Sequence, residues 1–285
     1  MPLHIGEVNR FIVKRETDIS YTLSPDDDEL TTYVFLHFNQ ATRKLEPGEK
    51  IKAFLYYDQK KRLCATMEEP LITTSNYGFV KVVNVLENAG VFVNINIAKD
   101  ILLSKDFLPS SIKAWPKIDE EVPCILIEKQ HQLVARIITP NDIKVLPPKL
   151  KVEQTISGNV SKITQVGITV CTREFQFVFI HKNYLRKNYH LGEEVTCKVI
   201  HINEHGEYYA STIERKEYSR LSDSDTIYNY LKQMGGIVPL GNASSPEDIN
   251  KFFKMSKSAF KRAVGALYKK RLISIEDYKI TLIEK

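Results

Sequence analysis

The sequence predicts a multidomain, mainly β protein, in which three small five-stranded β-barrels are followed by a small α+β domain. Two observations carry this prediction. A set of short alternating strands occurs three times before about residue 222, and beyond that point the apolar residues take the spacing of helices. The chain has 285 residues, of which 43% are hydrophobic and 26% charged, a composition that excludes a largely disordered chain or a fibre.

The repeat is clearest where an apolar strand leads through a polar turn to an alanine. The three copies of this alanine lie 70 and 75 residues apart, at Ala65, Ala135 and Ala210. An earlier position of the repeat holds Ala53, Cys124 and Cys197, which are small enough for a buried site. Together with Cys64 and Cys171, these cysteines lack the spacing of metal ligands. We therefore expect small buried side chains and no metal site.

Each unit also contains a strand whose residues alternate between two faces. In the second unit, Val91 and Val93 share one face and Phe92 lies on the other. Aliphatic residues must fill so small a barrel, so the opposite face is expected to point outward. Its residues are Phe35 and His37 in the first unit, Phe92 in the second, and Phe177, Phe179 and His181 in the third. Such side chains either stack on nucleobases or pack between neighbouring domains.

These strands carry motifs that resemble the S1-type OB-fold RNA-binding domain. The motifs are a G-x-V start at Gly6, Gly78 and Gly158, a G-x-F-V strand, an F-[IVL]-H strand and a closing A-[ST]. In that family the Phe of G-x-F-V and the His lie on the outer nucleic-acid face, which implies this role for Phe92, His37 and His181. The third unit has Thr169 where Phe is expected, and the second has Leu103 where His is expected.

The C-terminal segment predicts a winged helix-turn-helix domain. A first helix starts at Thr226, a second begins at the cap signal Ser245-Pro246, and a third runs from about Lys257 to Arg271. An apolar hairpin over residues 272–282 follows. Its tip, Glu276-Asp277, is acidic, which argues against insertion of the wing into a groove of nucleic acid.

The third helix has a basic face opposite its apolar stripe. From Ile249 to Ile275 there are eight basic residues and no acidic one. Charges of a single sign repel one another, so this pattern favours a polyanionic partner over an ordinary solvated helix. The candidate contacts in this segment are Lys254, Lys257, Lys261, Arg262, Tyr268, Lys269 and Lys270.

Basic residues are concentrated in the C-terminal half of the chain, although the net charge is only +5. Basic and acidic residues number 10 and 12, 8 and 8, 11 and 8, and 11 and 7 in the four predicted domains. These domains are residues 1–70, 71–147, 148–221 and 222–285. We expect the last two to bind one RNA strand, with phosphates on lysines and bases on the third barrel's rings. Arg173 and Lys182 lie beside those rings; Phe92, Phe35 and His37 are secondary stacking candidates.

The run from Ser245 to Lys269, after three S1-like units, resembles the conserved virulence factor B family of low-GC Gram-positive bacteria. The resemblance implies a cytoplasmic RNA-binding protein that influences expression of virulence genes, with no catalysis and no cofactor. Single-stranded RNA is the expected partner. Two alternatives stay open: a regulator that binds double-stranded DNA through the third helix, and a scaffold for a protein such as RNA polymerase or a ribosomal component.

No segment of the sequence indicates an enzyme or a membrane protein. Phosphate-binding loops, zinc-protease motifs and nucleophile elbows are absent from the sequence, as is any long apolar run or secretory signal. The densest acidic run, Asp26 to Glu29, lacks the spacing of a calcium loop and is interpreted as a solvated loop.

Overall fold

The computed structural model describes residues 3–26, 33–58, 60–130, 132–213, 215–253 and 255–283, without the side chains of 215–222. The candidate contact Lys254 and all of the acidic run except Asp26 lie outside these residues. The chain forms two compact units. The first is Met1–Lys182 with Lys187–Ala210, and the second is Asn183–Arg186 with Ser211–Lys285.

The first unit contains three closed five-stranded barrels, as the repeat predicts. The first barrel is β1 (Val8–Glu16), β2 (Ser20–Pro25), β3 (Val34–His37), β4 (Lys50–Tyr57) and β5 (Leu63–Thr66). The second is β6 (Gly78–Leu86), β7 (Gly90–Asn94), β8 (Ile101–Ser104), β9 (Glu121–Lys129) and β10 (Gln132–Ile137). The third is β11 (Thr155–Ile163), β12 (Gly167–Thr172), β13 (Phe177–His181), β14 (Glu194–Ile202) and β15 (Tyr208–Ser211). In each barrel the third strand pairs in parallel with the fifth.

Alternation along the strands fills the barrels. Val91 and Val93 are fully buried, whereas Phe92 between them is half-buried on the outer side. The small positions of the repeat, occupied by Ala53, Cys124 and Cys197, are buried as predicted. Burial raises the pKa of the Cys197 thiol to about 12 and also raises that of Cys124, so both stay protonated and unreactive at neutral pH.

A β-bulge in the first strand of each barrel defines the equivalent positions of the three units. It follows Val13, Val82 and Val160, which are therefore equivalent. The glycines of the three G-x-V motifs precede these valines by different numbers of residues, so those motifs do not align in space. The prediction that they open the units at one common position is wrong, because β1 begins at Val8, the last residue of its motif, whereas β11 begins at Thr155, three residues before its motif.

The strand register also corrects the histidine position of the second barrel. Gly90 pairs with Ser104, just as Gly167 pairs with His181 in the third barrel. Ser104 is therefore the equivalent of His181, and Leu103 points into the core with no exposed surface. A one-residue shift moves a side chain to the opposite face of a strand. The same register places Thr169 at the position of Phe92, as the sequence comparison expected.

The second unit has the predicted winged-helix architecture. Its elements are α1 (Arg215–Gln233), β16 (Ile237–Val238), α2 (Pro246–Phe253), α3 (Lys257–Lys269), β17 (Ile273–Ile275) and β18 (Ile280–Leu282), and its sheet has the order β16-β18-β17. The Ser245 hydroxyl accepts a hydrogen bond from the Asp248 amide at 3.1 Å, which confirms the predicted cap of α2. The predicted start of the first helix at Thr226 is wrong, since α1 begins eleven residues earlier, at Arg215. The sequence did not reveal these first turns because they are polar and carry no apolar period. In the part of the chain that is described, no helix has the length and apolarity needed to span a membrane.

The inward position of Leu103 can be tested by truncation. Leu103→Ala is expected to lower the free energy of unfolding of the second barrel by about 2–5 kcal/mol, because it leaves a cavity in a closed core. Leu146→Ala, the same substitution at a side chain that is 94% exposed, is expected to change it by less than about 0.5 kcal/mol. Denaturant unfolding measures both. Equal effects would contradict the register.

Candidate nucleic-acid interface

Three rings meet on the outer side of the third barrel. The parallel pairing of β13 with β15 places Phe179 opposite Tyr209, and their ring centroids lie 6.0 Å apart in an edge-to-face arrangement. His201 on β14 lies 5.9 Å from the Tyr209 ring. Phe179 and Tyr209 are half-buried and His201 is exposed, so the cluster presents ring surface to solvent. We call Phe179, Tyr209 and His201 the outer ring cluster.

A groove of about 470 Å³ runs beside the outer ring cluster. Thr169 lines it together with Phe179 and Tyr209, and the linker from the second barrel lines its other side. Leu146 of that linker is 94% exposed and also lines the groove. A half-open groove with ring and aliphatic walls suits flat, partly apolar groups such as unpaired bases.

Phe177 lies between this groove and a second one of about 520 Å³, which it shares with residues of the second barrel such as Phe107 and Arg136. The half-buried Phe177 ring also packs against a small cluster of Ile125, Ile138 and Cys171. The structure therefore places Phe177 in the packing between two barrels as well as on a groove wall. Domain packing is thus observed for one part of its outward face, while the part on the groove wall stays a stacking candidate.

Arg173 is engaged by the second barrel. Its guanidinium donates to the Glu121 carboxylate and lies 4.3 Å from the centre of the Phe79 ring. The Phe79 ring in turn stacks on Phe175, with centroids 5.5 Å apart. Ion pairing and the cation–π contact hold the guanidinium at the boundary of the two barrels.

His181 and Lys182 follow one another at the end of β13. His181 is half-buried, and its strand approaches β12 so closely that a Cβ on Gly167 would lie 2.2 Å from the Ile180 carbonyl oxygen. The Lys182 backbone amide donates to the Val166 carbonyl, and its side chain is exposed. The structure thus places Lys182 at an accessible end of the strand that carries Phe179.

The basic face of α3 has the predicted arrangement. Ser256 caps the helix, and Phe260, Ala263, Val264 and Leu267 form its buried stripe. Lys257 is half-buried, and the exposed candidates are Lys261, Arg262, Tyr268, Lys269 and Lys270. Among the described residues, no carboxylate forms a salt bridge with any of these cations, whereas Lys187 and Lys198 of the third barrel pair with Glu193 and Glu153. The charge of α3 is therefore available to an anionic partner.

The candidates of the first two barrels lie in different surroundings. Phe35 is 41% exposed on the outer face of the first barrel, where it pairs with the half-buried Cys64. His37 and Phe92, which come from different barrels, line one groove of about 660 Å³. The sequence singled out these two residues but gave no sign that they would share a site.

Sequence reasoning missed Tyr209 and His201. Tyr209 could have been found from the sequence, because it directly precedes the repeat alanine Ala210. The third and fifth strands of a barrel of this type pair in parallel, which places this position beside Phe179. No comparable signal existed for His201, whose place beside Tyr209 depends on the pairing of strands around the barrel. Within the residues that the structure describes, no cluster of His, Cys, Asp and Glu could hold a metal ion.

Comparison with known proteins agrees with this architecture. Residues 5–68 match the S1 domain, residues 77–136 the CvfB first S1-like domain, and residues 225–282 the CvfB-like winged helix domain. Conserved virulence factor B of Staphylococcus haemolyticus is 31% identical over 85% of this chain and 82% of its own length. The chain belongs to the conserved virulence factor B family.

Two further relatives cover nearly the whole chain. The Bacillus subtilis protein YitL is 31% identical over 93% of this chain and 89% of its own length. A crystal structure of a Streptococcus pneumoniae multidomain protein with nucleic acid binding domains is 25% identical, with a TM-score of 0.59 over 98% of both chains. These findings support a nucleic-acid-binding role for the conserved virulence factor B architecture.

The placement of Arg173 gives a testable distinction within the basic candidates. Arg173→Ala is expected to lower the free energy of unfolding by about 1 kcal/mol, because it removes a surface ion pair and a cation–π contact. It is expected to leave affinity for a nucleic-acid strand unchanged. Lys261→Ala, in contrast, is expected to weaken binding of the nucleic-acid strand and to leave the free energy of unfolding unchanged. Denaturant unfolding measures the stability of both variants, and filter binding measures their affinity for the nucleic acid. Equal losses of affinity in the two variants would mean that Arg173 contacts the nucleic-acid strand.

Proposed function

We propose that this protein binds single-stranded RNA in the cytoplasm, without catalysis, and thereby regulates gene expression, including that of virulence factors. The outer ring cluster of the third barrel stacks on the bases, and the cations of α3 hold phosphates. The observation that carries the proposal is the cluster of Phe179, Tyr209 and His201 on an accessible barrel face. The name conserved virulence factor B, which the Staphylococcus relatives bear, supports the regulatory part.

The outer ring cluster favours single strands over duplexes. Base faces in a duplex are stacked on one another and are not open to side chains, whereas unpaired bases can lie on an aromatic ring. Phe179 and Tyr209 lie in an edge-to-face arrangement, so a base that stacks on one ring also meets the edge of the other. Stacking does not depend on base identity, and we therefore expect modest sequence preference from this cluster.

The α3 helix supplies the electrostatic part of the proposal. Lys261 and Arg262 are exposed and unpaired among the described residues, and Tyr268 on the same helix is exposed by 58%. A helix of this kind could also enter the major groove of duplex DNA. The exposed acidic residues of the wing tip, Glu276 and Asp277, oppose close docking on a duplex. Competition between single-stranded RNA and duplex DNA for the whole protein decides between the two partners.

Removal of a ring from the outer cluster tests the stacking surface. Phe179→Ala is expected to weaken binding of single-stranded RNA by about 1–3 kcal/mol, the usual contribution of one base–aromatic stack. Tyr33→Ala, at an exposed ring before β3 of the first barrel, should have no effect. Fluorescence anisotropy with a labelled oligonucleotide measures both variants. An unchanged affinity of Phe179→Ala would exclude this face.

The dependence of affinity on salt tests the phosphate contacts. Replacement of both Lys261 and Arg262 by Ala is expected to reduce the slope of log K against log salt by about 1.4, since each phosphate contact on a single strand contributes about 0.7. Replacement of Lys187 and Lys198, which are already paired with carboxylates, should leave the slope nearly unchanged. Equal slopes for the two double variants would contradict the role of α3.

A further inference from the structure

The loop that precedes β14 of the third barrel packs closely against the second barrel. The backbone amide of Leu191 in this loop donates to the Ala114 carbonyl of the second barrel at 3.0 Å. A Cβ atom on the next residue, Gly192, would lie 3.0 Å from the Cβ atom of Pro116, which is tighter than ordinary packing. Leu191 also lines the groove of about 520 Å³ between these two barrels. The position of this loop therefore contributes to the shape of that groove.

A histidine of this loop lies between two carboxylates. The His190 Nε2 atom is 2.7 Å from Glu120 Oε1 on the second barrel, and its Nδ1 atom is 2.9 Å from Glu193 Oε2 in the same loop. Only 13% of the His190 side chain is exposed, so water does little to screen these contacts. A neutral imidazole carries one N–H group and one lone pair, whereas an imidazolium carries two N–H groups. The neutral ring would therefore turn a lone pair toward one carboxylate, and only the protonated ring attracts both.

Both carboxylates are held in place by groups other than the His190 ring. Burial alone would raise the pKa of the Glu193 carboxyl, but hydrogen bonds from the Lys187 ammonium and the His190 backbone amide lower it by more, and the net shift is downward. Glu193 therefore stays ionised throughout the pH range in which a histidine ordinarily gains its proton. On the second barrel, Glu120 Oε2 accepts a hydrogen bond from the Lys117 backbone amide at 2.8 Å, which orients the carboxylate toward the ring.

Other charged residues on the segments packed against this loop are already paired or exposed. The paired ones, on the second barrel, are Asp119 with Lys81 and Glu121 with Arg173. The exposed ones are Lys113, Lys117, Lys162 and Glu194. Among the residues that the structure describes, the charged groups in contact with the His190 ring are therefore those of Glu120 and Glu193.

We propose that the proton on His190 controls the contact between the second and third barrels, so that this contact tightens as the pH falls and loosens as the pH rises. With the proton, the ring attracts carboxylates of both barrels. Without it, one carboxylate faces a lone pair, and the ring no longer holds both. The packing of Phe79 on Phe175 at the same boundary does not depend on pH, so the barrels stay associated in both states. The end that loosens carries Leu191, and the groove beside it changes shape.

Hydrogen exchange of two neighbouring amides measures this contact in the full chain. The Leu191 amide donates across the boundary to the second barrel, whereas the Gly192 amide donates to the Val160 carbonyl within the third barrel at 2.9 Å. Protection factors, which correct for the intrinsic effect of pH on exchange, report the local opening of each hydrogen bond. Between about pH 6 and about pH 8, the protection factor of Leu191 is expected to fall about fivefold or more, the effect of one ionic contact. That of Gly192 is expected to stay unchanged.

Two substitutions remove the proposed proton dependence and nearly keep the size of the side chain. His190→Gln removes the group that gains the proton, and Glu120→Gln removes the charge of its partner on the second barrel. In both variants the protection factor of Leu191 is expected to be the same at the two pH values. His205→Gln is the matched control, because His205 is an exposed histidine of the turn between β14 and β15 of the same barrel. This control should keep the pH dependence of the unchanged protein.

The outcomes separate a proton-dependent contact from a merely structural one. A protection factor of Leu191 that does not change with pH in the unchanged protein overturns the proposal. A fall that Gly192 shares, or one that persists in His190→Gln, overturns it as well. Thermal unfolding of each variant at both pH values shows that the variants are folded. No RNA is present in these measurements, so their result is independent of the function proposed for the third barrel and α3.

Discussion

Closure of five short strands into a barrel is the constraint on which the rest of this structure depends. A closed barrel has one inner face, and strand alternation leaves every second side chain outside. In the second and third barrels the inner positions hold aliphatic residues and small ones such as Cys124 and Cys197, which leaves rings such as Phe92 and Phe179 to the outer face. The aromatic residues of these two barrels are therefore available for contacts that the barrel itself does not need.

The outer rings of the second and third barrels lie in two kinds of surroundings, the packing between the barrels and the wall of an open groove. Around Phe175, rings from two barrels pack together, with Tyr77 edge-on at 4.7 Å and Phe79 stacked at 5.5 Å. Among the described residues, Phe179 is not part of this cluster, and its ring lies edge-to-face with Tyr209 of its own barrel. Phe175, just before β13, thus packs on rings of the neighbouring barrel, whereas Phe179 on β13 lies beside Tyr209. Phe177 is the intermediate case, with one part of its surface in each.

The sequence allowed prediction of whatever depends on local periodicity, and failed where distant segments meet. Repeats and alternation were sufficient for the three barrels, the winged helix and the buried stripe of α3. The inward position of Leu103 was missed, because a shift of one residue in register is invisible in a short apolar run. The contact of Arg173 with Glu121 joins residues 52 positions apart in different barrels, and composition contains no information on such pairs. The shared groove of His37 and Phe92 was missed for the same reason.

The charge pattern acquires meaning only when ion pairs are considered. Several cations of the first unit are matched by nearby carboxylates, as in Arg136 with Asp142 and Lys187 with Glu193, so their fields are largely cancelled at a distance. The cations of α3 have no such partners among the described residues. In the proposed function, the cations of α3 contribute to the long-range attraction of the polyanion, whereas the selection of unpaired bases rests on the rings of a barrel. That proposal assigns affinity and selectivity to different domains of one chain, so added salt is expected to weaken affinity far more than selectivity.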